Sequence, residues 1–395
     1  MNQFVEVFGF AAFALLTSYW VCRMVIGAAH RLDIGTDELA GVQKMHRHRV
    51  SRLGGVPIFL AFLSSLLFLS WTSGNFKVGT AFLVVCMLPA FGFGLVEDLT
   101  RRVGATERLI AAMISGALGW WLFSAGLVRI GWEGADIFLE THPWAVLVMT
   151  VMAASGSAHG VNIIDGCNGL SGFFIMSALA ALMVVAAGAR DMFVFQCALL
   201  ALASTAGFFA WNFPNGRIFL GDSGAYMMGF LIAQLAMILF TRHPEVSPWC
   251  AMLIMAYPAW ETLFSMYRRS RHGLRQLGKP DARHLHHLVY RRILKWAPES
   301  APQRVRDFRS AFTSVLVWPL MLLCMMPAAM FWYDTKKLFL LCWLFALTYT
   351  AMYVCIARFK VAAPITRLVT RIKRRVEQAE VVPAPVPPAA ARVVQ

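Results

Sequence analysis

The strongest constraint on this chain is a succession of long apolar runs, most of them close to 20 residues, separated by short breaks that carry charge, Gly or Pro. A run of that length spans the ~30 Å hydrocarbon core of a bilayer as an α-helix. Lipid accepts only backbones that satisfy their own hydrogen bonds, so the runs must be helices. Runs near residues 4–22, 54–72, 78–96, 109–128, 143–161, 170–188, 192–212, 224–240, 247–266, 312–333 and 338–357 predict an all-α polytopic membrane protein with about eleven transmembrane helices. Composition agrees, with 58% of the 395 residues hydrophobic and 14% charged, where a soluble domain carries about 25% charge. A soluble enzyme on a single anchor is excluded.

The 36 Lys and Arg outnumber the 21 Asp and Glu, for a net charge of +15. Assigning the linkers alternately to two sides puts thirty of those 36 on one side. By the positive-inside bias the N-terminus is outside and the C-terminus cytoplasmic. The basic excess is therefore topology, with no solvent-facing patch of the kind nucleic acid requires. Residues 1–357 are predicted as one membrane domain whose cytoplasmic loops are 23–53, 97–108, 162–169, 213–223 and 267–311. Residues 358–395 form a basic and then Pro/Ala-rich tail, expected to be disordered at its end. The first apolar run lacks a basic region before it and reads as a retained span. The eight Cys lie mostly inside apolar runs with no CxxC, which indicates neither a disulfide framework nor a zinc site.

Five polar strings fall at cytoplasmic ends of the spans. Transporters usually place such groups near the midplane, whereas an interfacial cluster suits a reaction between a soluble donor and a lipid acceptor. In GLVEDLTRRVG the carboxylates of Glu97 and Asp98 are adjacent, and their repulsion asks for a cation or a raised pKa. Mg²⁺ with phosphate oxygens would satisfy them; the alternative is a solvated helix end beside Arg101 and Arg102. In NIIDGCNGLSG, Asn162, Asp165 and Asn168 recur every three residues, which a helical turn would put on one side; a polar helix–loop junction is the plainer reading. In WNFPNGRIFLGDSGAYMMG, Asp222 precedes an apolar span, placed either to hold Mg²⁺ against a pyrophosphate near backbone N–H groups or to act as an N-cap.

KPDARHLHHLVYRR gathers His284, His286 and His287 with Arg283, Arg291 and Arg292. No Cys or Glu partner stands at zinc spacing, so phosphate binding or proton handling fits better than zinc; a solvated basic loop is the alternative. HRHRVSRLGGVP, residues 46 to 57, could hold a lipid phosphate through Arg52 and its neighbours, or could be positive-inside charge alone. Glu261 lies near the end of the ninth run, about two helical turns before Arg268 and Arg269. An intramembrane carboxylate is functional by default, with a structural ion pair to those arginines as the alternative.

Taken in order, the five strings resemble the polyprenyl-phosphate N-acetylhexosamine-1-phosphate transferase family (WecA-like glycosyltransferase family 4). The resemblance runs from about His46 to Tyr290. That family includes the enzymes that start O-antigen, lipopolysaccharide-linked and wall-polymer synthesis, and the phospho-N-acetylmuramoyl-pentapeptide transferase. The resemblance implies transfer of a sugar-1-phosphate, most simply GlcNAc-1-phosphate, from a UDP-sugar to undecaprenyl phosphate, with release of UMP. It further implies Mg²⁺, with Mn²⁺ as a substitute, and a multi-pass protein of the bacterial inner membrane whose active site faces the cytoplasm. Its partners would be the UDP-sugar, undecaprenyl phosphate and the bilayer, with a homodimer allowed and nucleic acid excluded.

Carried over by motif, Glu97 and Asp98 match the acidic pair assigned to the acceptor phosphate or to Mg²⁺, and Asp222 matches the Mg²⁺ ligand. Asn162, Asp165 and Asn168 fall in the nucleotide-binding motif. Arg283, His284, His286 and His287 fall in the loop expected to touch the donor. Arg52, with Gly54 and Gly55, ends the first motif. The chain departs from the family with Glu-Asp where Asp-Asp is usual, and with Arg-Val-Ser at 49–51 where a Pro-rich string is common. Asn168 stands where many members have Asp, His159 where many have Asn, and Ala225 where Ser is frequent. The muramoyl-pentapeptide transferase reading is ranked lower, because its loop has three consecutive histidines where this chain has His-Leu-His-His. A non-catalytic polyprenyl-linked transporter would instead concentrate its charges within the membrane.

Overall fold

The computed structural model describes residues 2–32, 34–36, 50–72, 78–271, 281, 283–294 and 303–358. The basic string His46, Arg47, His48 and Arg49 and the tail 359–395 lie outside the described residues, as do parts of the predicted loops 23–53 and 267–311. In chain order the helices are α1 (Asn2–Leu32), α2 (Gly55–Thr72), α3 (Val78–Thr100), α4 (Ala105–Phe123), α5 (Glu133–Thr141), α6 (Pro143–Ile164) and α7 (Leu170–Gly188). They continue with α8 (Met192–Asn212), α9 (Gly221–Arg242), α10 (Pro248–Ile254), α11 (Ala256–Ser270), α12 (Leu285–Leu288), a π-turn (Val289–Ile293), α13 (Gln303–Met330) and α14 (Thr335–Ala357). The protein is an all-α polytopic membrane protein.

Among the described residues, nine helices are long and apolar enough to cross a membrane, against the eleven spans expected. The two differences have local causes. α4 carries Glu107 and Arg108 in its first turn, which lower its hydropathy. The run expected as one span at 247–266 folds as α10 and α11, broken at Met255. Pro258 explains the break, because its ring clashes with the carbonyl four residues back, at Ile254, and it has no N–H to offer.

α9 is the hub. Every side chain from Gly221 to Phe240 is buried, as expected of a helix with apolar residues on all sides, and α2, α3, α4, α6, α7 and α8 pack around it. Helices in lipid associate by close packing and not by water exclusion, so small residues line their contacts. A Cβ on Gly94 would lie 2.6 Å from Ser223 Cα, one on Gly55 2.3 Å from the Gly224 nitrogen, and one on Gly229 2.7 Å from Ala158 Cα. The backbones of α3, α2 and α6 therefore rest directly on α9. At its far end the Arg129 guanidinium donates from Nη2 to the carbonyls of Phe240 (3.0 Å), His243 (3.2 Å) and Val246 (2.7 Å), placing a cation on the negative end of the helix.

The outer helices show the opposite pattern. Leu340, Leu344 and Leu347 of α14 and Leu16, Trp20 and Met24 of α1 are exposed, which is a lipid-facing surface. At the end of the bundle away from the start of α9, Trp71, Trp121, Trp132 and Trp144 are exposed together, as aromatic side chains are at a membrane–water interface.

The packing of α3 on α9 gives a paired test. A Cβ on Gly94 must displace α9 backbone, whereas one on Gly92 meets nothing within 4 Å. Gly94→Ala should lower stability by about 1–3 kcal/mol through overpacking, while Gly92→Ala on the same helix should be close to neutral. Thermal unfolding of the two purified proteins in detergent measures the difference.

Candidate active site

The first-turn N–H groups of a helix have no intrahelical partner, and the start of α9 is inside the protein. Asp98, 1% exposed, supplies the acceptors from α3. Its Oδ1 accepts from the Asp222 nitrogen (2.9 Å), and its Oδ2 accepts from the Ser223 nitrogen (2.9 Å) and the Ser223 hydroxyl (2.7 Å). Gly221 makes the approach possible: it has φ +72°, and a Cβ there would lie 1.9 Å from the Arg52 carbonyl oxygen and 2.6 Å from Asp98 Oδ2. The adjacent carboxylate goes elsewhere. Glu97 Oε2 accepts from the Val103 nitrogen at 2.9 Å, so successive helix positions separate the two groups and no shared cation is needed to keep them together. This corrects the expectation of a coupled acidic pair.

Asp222, presented by this fixed start, is surrounded by donors from three other segments. Asn162 Nδ2, from the last turn of α6, donates to Oδ1 at 2.6 Å, and Arg108, from the first turn of α4, pairs with Oδ2. Arg52 lies between the two aspartates, 3.7 Å from Asp98 Oδ1 and 3.6 Å from Asp222 Oδ2. Its backbone is pinned on both sides: Arg52 N donates to the Gly35 carbonyl, and Phe219 N to the Ser51 carbonyl, each at 2.8 Å. The Arg108 guanidinium also lies over the Tyr226 ring, 5.6 Å from its centroid, and the Tyr226 hydroxyl is hydrogen-bonded to His159 Nδ1 at 2.9 Å. Two backbone N–H groups of the first turn, those of Asp222 and Ser223, are taken by Asp98.

Asn162, Asp165 and Asn168 do not share a helical face, because α6 ends at Ile164 and the chain turns. Each polar side chain therefore meets a different partner. Asp165 accepts from the Ser171 hydroxyl at 2.5 Å; burial pushes its carboxyl up to about 6, against the opposing effects of Ser171 and Arg52. Asn168 Nδ2 donates to the Pro214 carbonyl at 3.0 Å, and its Oδ1 is buried without a hydrogen-bond partner.

The histidine segment packs against this turn. A Cβ on Gly166 would lie 2.4 Å from His286 Nε2, and the rings of His286 and His287 are 4.3 Å apart. Among the described residues, neither ring nitrogen of His286 has a hydrogen-bond partner, and His287 has none at Nδ1. Burial, with His284 and Arg291 beside it, pushes the His287 ring down to about 3, and burial lowers His286 well below the usual imidazole range. Both rings are neutral at physiological pH. His284 is bound to Glu261, while Arg268 pairs with Asp281, so the alternative of a Glu261–Arg268 ion pair is not what the structure shows. Arg283 is exposed, held by its backbone N–H on Asp281 Oδ1 at 2.9 Å.

The structure thus brings Arg52, Asp98, Asn162 and Asp222 into direct contact, with Asp165 on the adjoining turn. Sequence reasoning missed Arg108, Ser223, Ser171 and Tyr226. Only Arg108 left a signal, as a lone cation in the first turn of an otherwise apolar run, and it was counted as topology.

Carboxylates, an amide and arginines thus converge from four segments on one end of a buried hub helix. The family model "Glycosyl transferase family 4" matches residues 80–240, which carry α3 to α9 and all three aspartates. A probable undecaprenyl-phosphate N-acetylglucosaminyl 1-phosphate transferase of Bacillus subtilis is 26% identical over 263 residues, 65% of this chain and 70% of the relative. An undecaprenyl-phosphate alpha-N-acetylglucosaminyl 1-phosphate transferase of Thermotoga maritima is 28% identical over 255 residues, 64% of this chain and 72% of the relative. One of the same description from Yersinia pestis is 25% identical over 370 residues, 88% and 90% of the two chains. Over residues 80–240 the chain is thus similar to glycosyl transferase family 4, and over longer stretches to these transferases.

The raised carboxyl of Asp165 sets a pH signature. Its protonated form is favoured in the fold, so that contribution to stability is complete below the ordinary carboxylate range and is lost as pH rises through about 6. Asp165→Asn should therefore raise the thermal midpoint above the wild type at pH 7.5, measured with EDTA, and the gain should vanish near pH 4. An equal gain at both values would contradict the assignment.

Proposed function

We propose that the protein transfers N-acetylhexosamine-1-phosphate, with GlcNAc-1-phosphate favoured, from a UDP-sugar to undecaprenyl phosphate. UMP is released, and the product begins a lipid-linked surface polysaccharide. The convergence of Arg52, Arg108 and Asn162 on Asp222 carries this reading. Two arginines around one carboxylate at the end of a membrane bundle give a diphosphate both cations and a metal-binding anion. The thirty-to-six division of Lys and Arg supports a site on the cytoplasmic face of a bacterial inner membrane.

Mg²⁺ usually takes one or two carboxylates and completes its shell with water and substrate phosphates. The residues fit that pattern. Asp222 offers a carboxylate whose partners are exchangeable side chains, whereas both oxygens of Asp98 are engaged by the start of α9. Asp222 would hold the ion, which when bound would neutralise charge on the diphosphate; Asp98, expected as a second ligand, would act by fixing Asp222. Among the described residues no group of three His, Cys, Asp or Glu could hold a metal by itself, consistent with an ion bound largely through substrate.

Phosphoryl transfer needs positioning and charge neutralisation more than covalent protein chemistry. An oxygen of the lipid phosphate attacks the sugar-bearing phosphorus, and the bridging P–O bond breaks toward UMP. Arg52 and Arg108 would turn from Asp222 to the phosphate oxygens, stabilising charge that moves onto the leaving group. Tyr226 supports Arg108 from behind. The unpartnered nitrogens of His286 and oxygen of Asn168 supply polar capacity for the sugar or nucleotide. The His-Leu-His-His order keeps the muramoyl-pentapeptide reaction below this one.

Membranes containing the protein, given UDP-GlcNAc, undecaprenyl phosphate and Mg²⁺, should release UMP and form a lipid diphosphosugar. Asp222→Asn should cut turnover by at least about 10²-fold with an unchanged thermal midpoint. Asp98→Asn should lose turnover and thermal midpoint together. No UMP from any of UDP-GlcNAc, UDP-GalNAc and UDP-N-acetylated deoxyhexoses would overturn the proposal.

A further inference from the structure

Glu261 is a buried carboxylate that the transfer reading leaves without a role. It lies on α11, 1% exposed, and its donors come from two other segments. His284 Nδ1 donates to Oε1 at 2.9 Å, the Leu285 nitrogen lies 3.2 Å from Oε1 and 3.3 Å from Oε2, and the Tyr349 hydroxyl donates to Oε2 at 2.7 Å. Asp281 makes a parallel set of contacts one step earlier in the chain: it accepts from the Ser265 hydroxyl at 2.6 Å and the Arg283 nitrogen at 2.9 Å. The Tyr353 hydroxyl, one turn beyond Tyr349, donates to the Arg283 carbonyl at 3.0 Å. The start of the histidine segment is thus tied to α11 twice, by Glu261 of that helix and by Asp281, which takes Ser265 and Arg268 of it, and to α14 by two tyrosines.

Burying a carboxylate costs several kcal/mol unless its oxygens are satisfied. An anchor for the backbone alone would need only the Leu285 N–H and the Tyr349 hydroxyl. Adding an imidazole at Nδ1 fixes that ring's tautomer and orientation and commits the other nitrogen, Nε2, to whatever the ring does next. The His284 ring lies parallel to that of His286, with centroids 5.7 Å apart and 6° between planes. His286 in turn abuts Gly166, the residue after Asp165. A continuous line of contact therefore runs from Glu261 through two rings to the turn that carries Asp165.

We infer that Glu261 is a positioning residue for the transfer: it holds His284 with Nδ1 protonated and thereby sets the histidine segment against the Asp165 turn, while Tyr349 ties that arrangement to the last membrane helix. The inference rests on the transfer reading for its kinetic consequence and on geometry alone for the ring.

Two measurements separate these. In lipid nanodiscs, ¹⁵N-histidine NMR with His284 identified by its loss in His284→Asn should show a protonated Nδ1, and Glu261→Ala should shift or abolish that signal. In the UMP-release assay, Glu261→Ala should lower kcat/KM by about 10–100-fold, the range found when the partner that orients a functional imidazole is removed. Glu261→Gln, which can still accept from Nδ1, should recover part of the loss. Adding His284→Ala to either variant should cost nothing beyond His284→Ala alone, because Glu261 acts through that ring. Should Glu261→Ala fail to fold, Glu261→Gln supplies the same double-mutant comparison. A His284 signal indifferent to residue 261, or additive losses in the double variant, overturns the inference. Absence of UMP from the wild type sinks the transfer reading instead and leaves the NMR result to decide this one.

Discussion

The carboxylate of Asp98 under the start of α9 is the interaction on which the rest of the structure depends. A helix that begins inside a protein exposes N–H groups that must find partners there. Asp98 accepts from Asp222, from Ser223 and from the Ser223 hydroxyl, and its negative charge is favoured by the positive end of the helix dipole. The geometry tolerates little else. Gly221 must be glycine for Asp98 and the Arg52 carbonyl to come as close as they do, and Gly94, one turn before Asp98, must be glycine for α3 to reach α9. Arg129 does the converse at the other end, with one guanidinium on three carbonyls. The hub helix is therefore held at both ends by charges from other elements, and Asp222 inherits a fixed position from the first of them.

This arrangement explains which parts of the molecule were legible from residues alone. Apolar length is a property of one segment, so nearly every helix could be located from its own run. Where a single residue overrides the run, as Pro258 does at Ile254 and Met255, the expected span divides. Polar spacing was a poorer guide. The three-residue repeat of Asn162, Asp165 and Asn168 predicts one face only if the helix continues, and it stops at Ile164. Adjacent Glu97 and Asp98 suggested a shared cation, yet side chains at successive helix positions point apart, and each found backbone N–H groups of its own.

Partners drawn from distant segments were the least visible. Nothing near Arg108 announces that it will meet Asp222, 114 residues later. Nothing near Glu261 announces His284 or Tyr349. The nearest arginines on its own helix were the local alternative for Glu261, but Arg268 is engaged by Asp281. Tertiary competition for one cation decided the matter, and such competition has no signature in spacing.

Three buried carboxylates, Asp98, Glu261 and Asp222, divide by what holds them. Asp98 is held by two backbone N–H groups and a hydroxyl, and Glu261 by the Leu285 N–H, the Tyr349 hydroxyl and the His284 ring, so both organise. Asp222 is held by side chains, two of them arginines, that can turn to another anion. Arg52 is the clearest case: at 3.7 Å from Asp98 and 3.6 Å from Asp222 it is beyond hydrogen-bond length to both. Moving it to a phosphate would leave Asp98 with its three hydrogen bonds and remove one of the two cations beside Asp222. On the proposed reading, a site built this way would admit a diphosphate by exchanging ion pairs while its framework stays in place, the preorganisation that phosphoryl transfer requires.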